Sequence, residues 1–257
     1  LWDEGVKLGH SVRTIREAID LASVDLDTAT SLLTVRHLAG DKRLSDKLAD
    51  PARTQWRRNG RKWVTQLSDS SVTRHMNSGE VAFMLEPALK EGRGGLRDVH
   101  VARWAALTRR SGAIADLGLT EAYEVILRAR VATHRESGRS GTVLLLEDQD
   151  SVAVALGYDS GERMSGDLAS SARLIAWRSE EFLTGIVESF RRRRPRFRRS
   201  PVILGGPGIT IENKRVHLDR SLAVTAEVVL LVAIAAARHE ARLSSETIAR
   251  LQTSELE

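Results

Sequence analysis

Cysteine is absent from all 257 residues. That excludes disulfides, thiolate zinc sites and a cysteine nucleophile, and it fits a reducing cytosol. Aromatic side chains make up only 4% of the chain, and five of the eleven are Trp, so the core has to be mostly aliphatic. No GxxxxGK[ST] or GxGxxG loop occurs, which removes the standard short phosphate-binding motifs. A His-Asp dipeptide, the simplest mark of a metal-dependent phosphohydrolase, is missing, and no two His residues stand at the i, i+4 spacing of a helical zinc pair. Long hydrophobic runs are lacking too. The longest, Leu222–Ala237, has 16 residues broken by Thr225 and Glu227; it is short for a bilayer and reads as a buried helix. The start, Leu1-Trp2-Asp3, has neither the basic nor the apolar segment of a signal peptide. It also opens mid-pattern without Met, which suggests a piece excised from a longer, cytoplasmic protein.

What is present is a globular composition, 42% hydrophobic and 28% charged, with cations exceeding acids by 39 to 34. Arginine carries most of the positive charge, which suits an anionic partner such as a nucleotide without singling one out. The most informative stretch is Glu86–His100, EPALKEGRGGLRDVH. Pro87 fixes its own φ and pushes Glu86 toward an extended conformation. Gly92, Gly94 and Gly95 allow a tight bend or a close approach. From Leu96 a helical spacing begins, carried by Leu96, Val99, the stem of Arg103, Trp104 and Leu107. A glycine-rich turn opening a helix directs free backbone N–H groups outward, where an anion can meet them, and Lys90, Arg93 and Arg97 add charge at the same place. The bland alternative is a helix start whose charges face water. Asp98, in the first turn, is either a ligand contact or a partner for Arg97 and the helix dipole.

Along the chain, residues 1–13 read as a strand or turn. Thr14-Ile-Arg-Glu17 is a capping box that opens a helix. A second helix is expected from Leu26 to a stop at Gly40, with Leu33 and Leu38 inward. Trp56, Trp63, Val64 and Leu67 give a helical stripe ended by the cluster at Ser68–Ser71. Further helices are expected over about 96–111, 119–136, 148–156, 162–193, 221–240 and 244–253. Between them, residues 201–218 carry three β-type runs around Gly205-Gly-Pro-Gly208 and Asn213-Lys214, a small meander or hairpin. The fold class is therefore mainly α with little sheet.

Three other groupings carry possible chemistry. His10, Ser11 and Arg13 stand before a capped helix, where they either touch a nucleotide or leave Ser11 and Thr14 to cap it. Asp3 and Glu4 are an acidic pair, more often a solvated face than a metal site. Arg191–Arg199 holds seven arginines in nine residues. That run suits nucleic acid by counterion release or simply a favourable helix C-terminus; with Phe197 alone interleaved and no other basic module, no nucleic-acid partner is expected.

With these residues in view, the chain resembles the bacterial protein-PII uridylyltransferases. Leu1–Thr14 (LWDEGVKLGHSVRT) is similar to the family's LWDxGLxVGHSVRT. Asp25–Leu33 and Leu38–Asp41 resemble DLxxATxLLxxRxLxGD, and Glu86–Asp98 resembles EPxxKxGxGGLRD. Val143–Leu146 and Gln149–Tyr158 resemble LLFDxQxxVAxxLGY, although Arg139–Gly141 departs from the charged run usual before it. The resemblance covers about residues 1–190; residues 201–257 match only loosely. It implies a DNA-polymerase-β-type nucleotidyltransferase core, with 1–24 as its tail, then a helical domain over 25–200, and a hairpin with helices over 201–257 leading toward an HD domain. It also implies Mg²⁺-assisted transfer of UMP from UTP to a tyrosine of the PII protein, a signal in nitrogen regulation. Some members use ATP instead. The family's Gly-Ser turn and paired-Asp strand, its HD domain and its ACT domains all lack a match here, so the chain alone is expected to be inactive. A non-catalytic helical interaction module is the alternative. Carried onto this sequence, the nucleotide contacts are Lys90, Gly94, Gly95, Arg97 and Asp98, with His10 and Arg13 at the cleft edge; no catalytic or metal residue is assigned.

Overall fold

The computed structural model describes residues 9–109, 118–138, 141, 143–191, 202–212 and 214–253. The strand or turn expected over 1–13 lies largely outside them, as do Asp3, Glu4, Arg139 and most of the Arg191–Arg199 run. The described residues fall into two compact units that divide between Arg193 and Arg194.

In the first unit, Thr14 caps α1 (Ile15–Leu21), and Glu17 returns a carboxylate oxygen to the Thr14 N–H at 2.7 Å. Asp25 caps α2 (Leu26–Leu32) through the Thr28 N–H at 2.7 Å. The expected run of α2 to Gly40 does not occur. Leu33 closes the helix against the core and Leu38 is 79% exposed, because Thr34 and Val35 are β-branched and no apolar partner waits beyond them. Asp41 then caps α3 (Lys42–Arg58). The chain breaks at Asn59 and resumes as α4 (Gly60–Ser78). The serines at 68–71 do not end that helix: Ser70 turns its hydroxyl back to the Leu67 carbonyl, and such back-bonding makes a serine cluster compatible with helix.

Next come α5 (Leu96–Ala106), α6 (Thr120–Ser137), α7 (Gln149–Ala155) and α8 (Gly161–Arg191). At 31 residues, α8 is about 46 Å long at the usual rise and serves two apolar cores. Its first half, with Met164, Leu168, Ala172 and Ile175, packs with Leu89, Leu96, Val99, Ile126 and Leu144. Its second half, with Leu183 and Ile186, joins α1–α4 and the opposite face of α5 through Val101 and Ala105. The aliphatic expectation holds for the first core. The second is centred on Trp56 and Trp63, fully buried and stacked with centroids 5.5 Å apart.

The second unit is a meander of β1 (Ile203–Gly206), β2 (Ile209–Glu212) and β3 (Arg215–Leu218), with β4 (Arg242–Leu243) parallel to β3. Alternate residues Ile209, Ile211, Val216 and Leu218 face α9 (Ala226–Arg238), which adds Val228, Val232 and Ala235. That period of two gives the sheet one apolar face. The run from Leu222 is therefore not buried all round. One stripe of α9 packs on the sheet and Leu230 stays 61% exposed, as befits a helix laid on a small two-layer unit. Thr247 of α10 (Ser245–Thr253) accepts from the Leu218 N–H at 3.0 Å and donates to the Val216 carbonyl at 3.2 Å.

Candidate functional site

The segment from Glu80 to Gly95 is a closed turn stitched to its neighbours by backbone bonds. Val81 N–H donates to the Arg93 carbonyl, and Arg93 N–H to Gly79. Leu144 N–H reaches the Pro87 carbonyl at 3.0 Å, Leu146 N–H the Glu86 carboxylate at 3.0 Å, and buried Gln149 donates to the Leu85 carbonyl at 2.7 Å. At Gly94 the chain takes φ +83°, and a Cβ there would lie 2.4 Å from the Ala172 carbonyl oxygen. Only glycine lets the turn lie this close to α8. Gly95 is equally confined, by the carbonyls of Leu89, Gly92 and Lys90.

The helix start offers no free N–H groups. Gly94 N–H donates to Asp98 Oδ2 at 2.7 Å, Gly95 to Gly92, Leu96 to Leu89, Arg97 to Lys90 and Asp98 to Gly95. The outward amides expected from the glycine pattern are thus turned inward. The glycines shape the bend and leave anion contacts to side chains.

Asp98 is 5% exposed. It pairs not with Arg97 but with Arg74 Nη2, with His75 Nε2 at 2.9 Å and with the Gly94 amide. Burial alone pushes its carboxyl up; the hydrogen bond from His75 and the charge of Arg74 outweigh that and hold it below the ordinary carboxylate value. Arg74 also donates to the Glu91 carbonyl at 2.7 Å, so the end of α4 clamps the turn to α5. Arg93 is spent elsewhere, 2.9 Å from both Glu80 and Glu180.

A different group forms on the outer side. Lys90 and Arg97 lie 3.3 and 3.2 Å from the same Glu91 oxygen. The Arg97 guanidinium stands 5.8 Å from the Trp104 ring centre, and Arg103 lies 4.8 Å over Tyr123 of α6. Between them His100 Nε2 sits 3.2 Å from the Tyr123 hydroxyl. All of these side chains are half-buried. The His100 imidazole is pushed down to about 4, first by burial and then by Arg97, Arg103 and Lys90, with Glu91 opposing weakly. Two of the three cations, Lys90 and Arg97, share one carboxylate here, and Arg103 lies over an aromatic ring. Such a face can hold an anion, especially one with a planar part.

His10 and Arg13 are exposed on the segment entering α1, and the charge of Arg13 acts on Glu17 and Asp25. Of the residues singled out from sequence, the structure gathers Lys90, Gly94, Gly95, Arg97 and Asp98 in one turn. Sequence reading missed Arg74, His75, Glu91, His100 and Tyr123. The spacing of Arg97, His100, Arg103 and Trp104 at i, i+3, i+6 and i+7 was the available sign of a shared helix face. Among the described residues no three His, Asp or Glu side chains come together as metal ligands. Asp98 is filled by Arg74, His75 and an amide, and Glu91 by Lys90 and Arg97, so the residues here do not fit a Mg²⁺ site.

The GlnD PII-uridylyltransferase family model matches residues 62–183, a segment that contains every member of both groups. A bifunctional uridylyltransferase/uridylyl-removing enzyme of Mycobacterium tuberculosis is 38% identical over 200 residues, 75% of this chain and 25% of its own length. The chain belongs with the PII uridylyltransferases. The like-named enzyme of Streptomyces coelicolor is 37% identical over 77% of the chain, and that of Bradyrhizobium sp. strain ORS 278 is 33% identical over 62%. The chain spans about a quarter of the length of the first two relatives. No solved structure gives a significant match. No described helix is long and apolar enough to cross a membrane.

Proposed function

We propose that this chain is the helical portion of a cytoplasmic nucleotidyltransferase that moves UMP from UTP to a tyrosine of the PII protein. In this reading Lys90 and Arg97 face the triphosphate of the bound nucleotide. The supporting observation is their setting: two half-exposed cations share a single carboxylate on a turn that Asp98, Arg74 and Gly94 make rigid. In-line displacement at the α-phosphorus leaves a protein little covalent work. Fixed positive charge that meets the charge developing on the phosphates is its main contribution. Gly94 and Gly95 set the bend, and His10 and Arg13 stand at the cleft edge. The described residues do not form a site for the Mg²⁺ expected in such chemistry.

The test uses this chain and a version extended upstream, assayed for transfer of labelled UMP and AMP to PII. Transfer only by the extended protein, lost on Lys90→Ala or Arg97→Ala, is the expected result; the donor that labels PII decides between UTP and ATP. Unchanged UTP affinity and turnover in both variants overturns the roles of these cations. A second reading, a helical module that docks PII without chemistry of its own, is favoured by the occupied state of both carboxylates in the turn. Inactivity of the extended protein together with retained PII binding would support it.

A further inference from the structure

The proposed function uses Lys90 and Arg97 but leaves Arg103, His100 and Tyr123 without a task. Arg103 makes no ion pair among the described residues; its recorded contact is the Tyr123 ring. Cation–π attraction holds a guanidinium over a ring while leaving its N–H donors available. His100 lies between Arg97 and Arg103 on the same helix face, with Lys90 and Glu91 facing it from the turn and Tyr123 from α6. A half-buried imidazole among three cations has one neighbouring carboxylate to offset them. Such crowding of like charge on a folded surface costs stability unless something else requires it.

We infer that the face shared by the turn, α5 and α6 binds a phosphate chain, seated between Lys90, Arg97 and Arg103, with His100 taking up a proton as the anion binds. This deepens the proposed function, and rests on its placing of the nucleotide at this face. The coupling follows from electrostatics alone. The free imidazole is neutral at pH 7 because burial and the cations oppose its charge. An anion of two or more charges reverses that balance, so the proton equilibrium of His100 shifts upward on binding. By linkage, affinity rises as pH falls from 7, and the gain levels off once the unliganded imidazole is itself protonated, near 4. Arg103 then acts as a third phosphate contact, and in the tautomer whose Nε2–H donates to the Tyr123 oxygen the added proton goes to Nδ1.

The experiment follows the His100 imidazole by NMR across pH in the whole chain, with and without inorganic pyrophosphate, the signal being assigned by its loss in His100→Gln. Pyrophosphate is expected to raise the midpoint of that titration by about one unit, a tenfold shift in proton affinity. Arg103→Gln is expected to weaken pyrophosphate binding about tenfold, the scale of one charge-assisted hydrogen bond, with helix content unchanged. The Arg191–Arg199 run is left intact in every variant, so differences between variants report this face. A His100 midpoint that pyrophosphate does not move, or full affinity in Arg103→Gln, overturns the inference. If those results occur while Lys90→Ala still abolishes UTP binding in the extended protein, the proposed function stands without the inference. If pyrophosphate moves His100 but neither UTP nor ATP binds, the anion site stands and the proposed function falls.

Discussion

The two sides of the Glu86–Asp98 turn use the same residue types for opposite ends. On the inner side Arg74 and Arg93 are matched by Asp98, Glu80 and Glu180 at or near 3 Å. Charge there is neutralised and the geometry is fixed. On the outer side Lys90 and Arg97 share Glu91, whose other oxygen lies 3.9 Å from Arg74. Arg103 makes no ion pair among the described residues, and the imidazole among them is pushed toward its neutral form. Arg93 and Arg97 are four residues apart in one motif and end up in different roles. The difference is the number of carboxylates within reach: Arg93 meets two, Glu80 and Glu180, whereas Lys90 and Arg97 share Glu91, which leaves positive charge available for a ligand.

Removing the inner carboxylate should break this contrast most severely. Asp98→Ala leaves the Gly94 amide unpaired and the Arg74 guanidinium without its nearest carboxylate, holding the Glu91 carbonyl and the more distant Glu91 carboxylate. The loss of one partner from a buried pair costs about 3–5 kcal/mol. Denaturant unfolding measures it, and a loss below about 1 kcal/mol would mean that Asp98 does not anchor the turn. The pH dependence has the same origin. The folded carboxyl is held below its ordinary value, so its stabilisation is present above the unfolded value of about 3.9 and is lost as pH falls through the folded one. Gly94→Ala comes next. It forces an L side chain to φ +83° and into the Ala172 carbonyl, at roughly 2–4 kcal/mol, and the same unfolding curve reads it. A near-neutral result there would show that α8 can move away from the turn.

The outer side gives a smaller and distinct signature. His100 is depressed from 6.5 to about 4 in the fold. Between those values the unfolded chain binds the extra proton, so stability falls as pH drops from about 6.5 toward 4. The half-exposed ring reduces the effect to about 1–2 kcal/mol. His100→Gln should flatten that part of the stability profile and leave the loss at lower pH, to which Asp98 contributes. If His100→Gln leaves the profile unchanged, the imidazole is not held among three cations.

How far the sequence led depends on whether a signal was local. The capping box at Thr14–Glu17, the glycine bend before Leu96, the long α8 and the meander after Val202 were legible, because caps, turn residues and periodicity act over a few positions. The failures were tertiary. Leu38 looked like a core residue until no partner met it. The amides of Gly94 and Gly95 looked free because Asp98 and the Gly92 carbonyl close on them only after the chain turns back. Arg74 and His75 gave no local sign, since their partner lies 24 and 23 residues away. Belonging with the PII uridylyltransferases was legible from motif order, which needs no three-dimensional information.

The smallest effect sharpens the comparison further. Lys90→Ala and Arg97→Ala each remove one exposed-side partner of Glu91, and such pairs contribute about 0–1 kcal/mol. Both variants should unfold within about 0.5 kcal/mol of the parent. The sign of the residual is informative. Glu91 is held below its ordinary value because Arg97 and Lys90 outweigh its burial; losing one cation costs that carboxylate support while relieving like-charge crowding around His100. The two terms oppose, so the net stays small, and the His100 midpoint rises in both variants whatever the stability does. That rise is the measurement to make, because a purely structural pair would lower stability and leave the imidazole where it was.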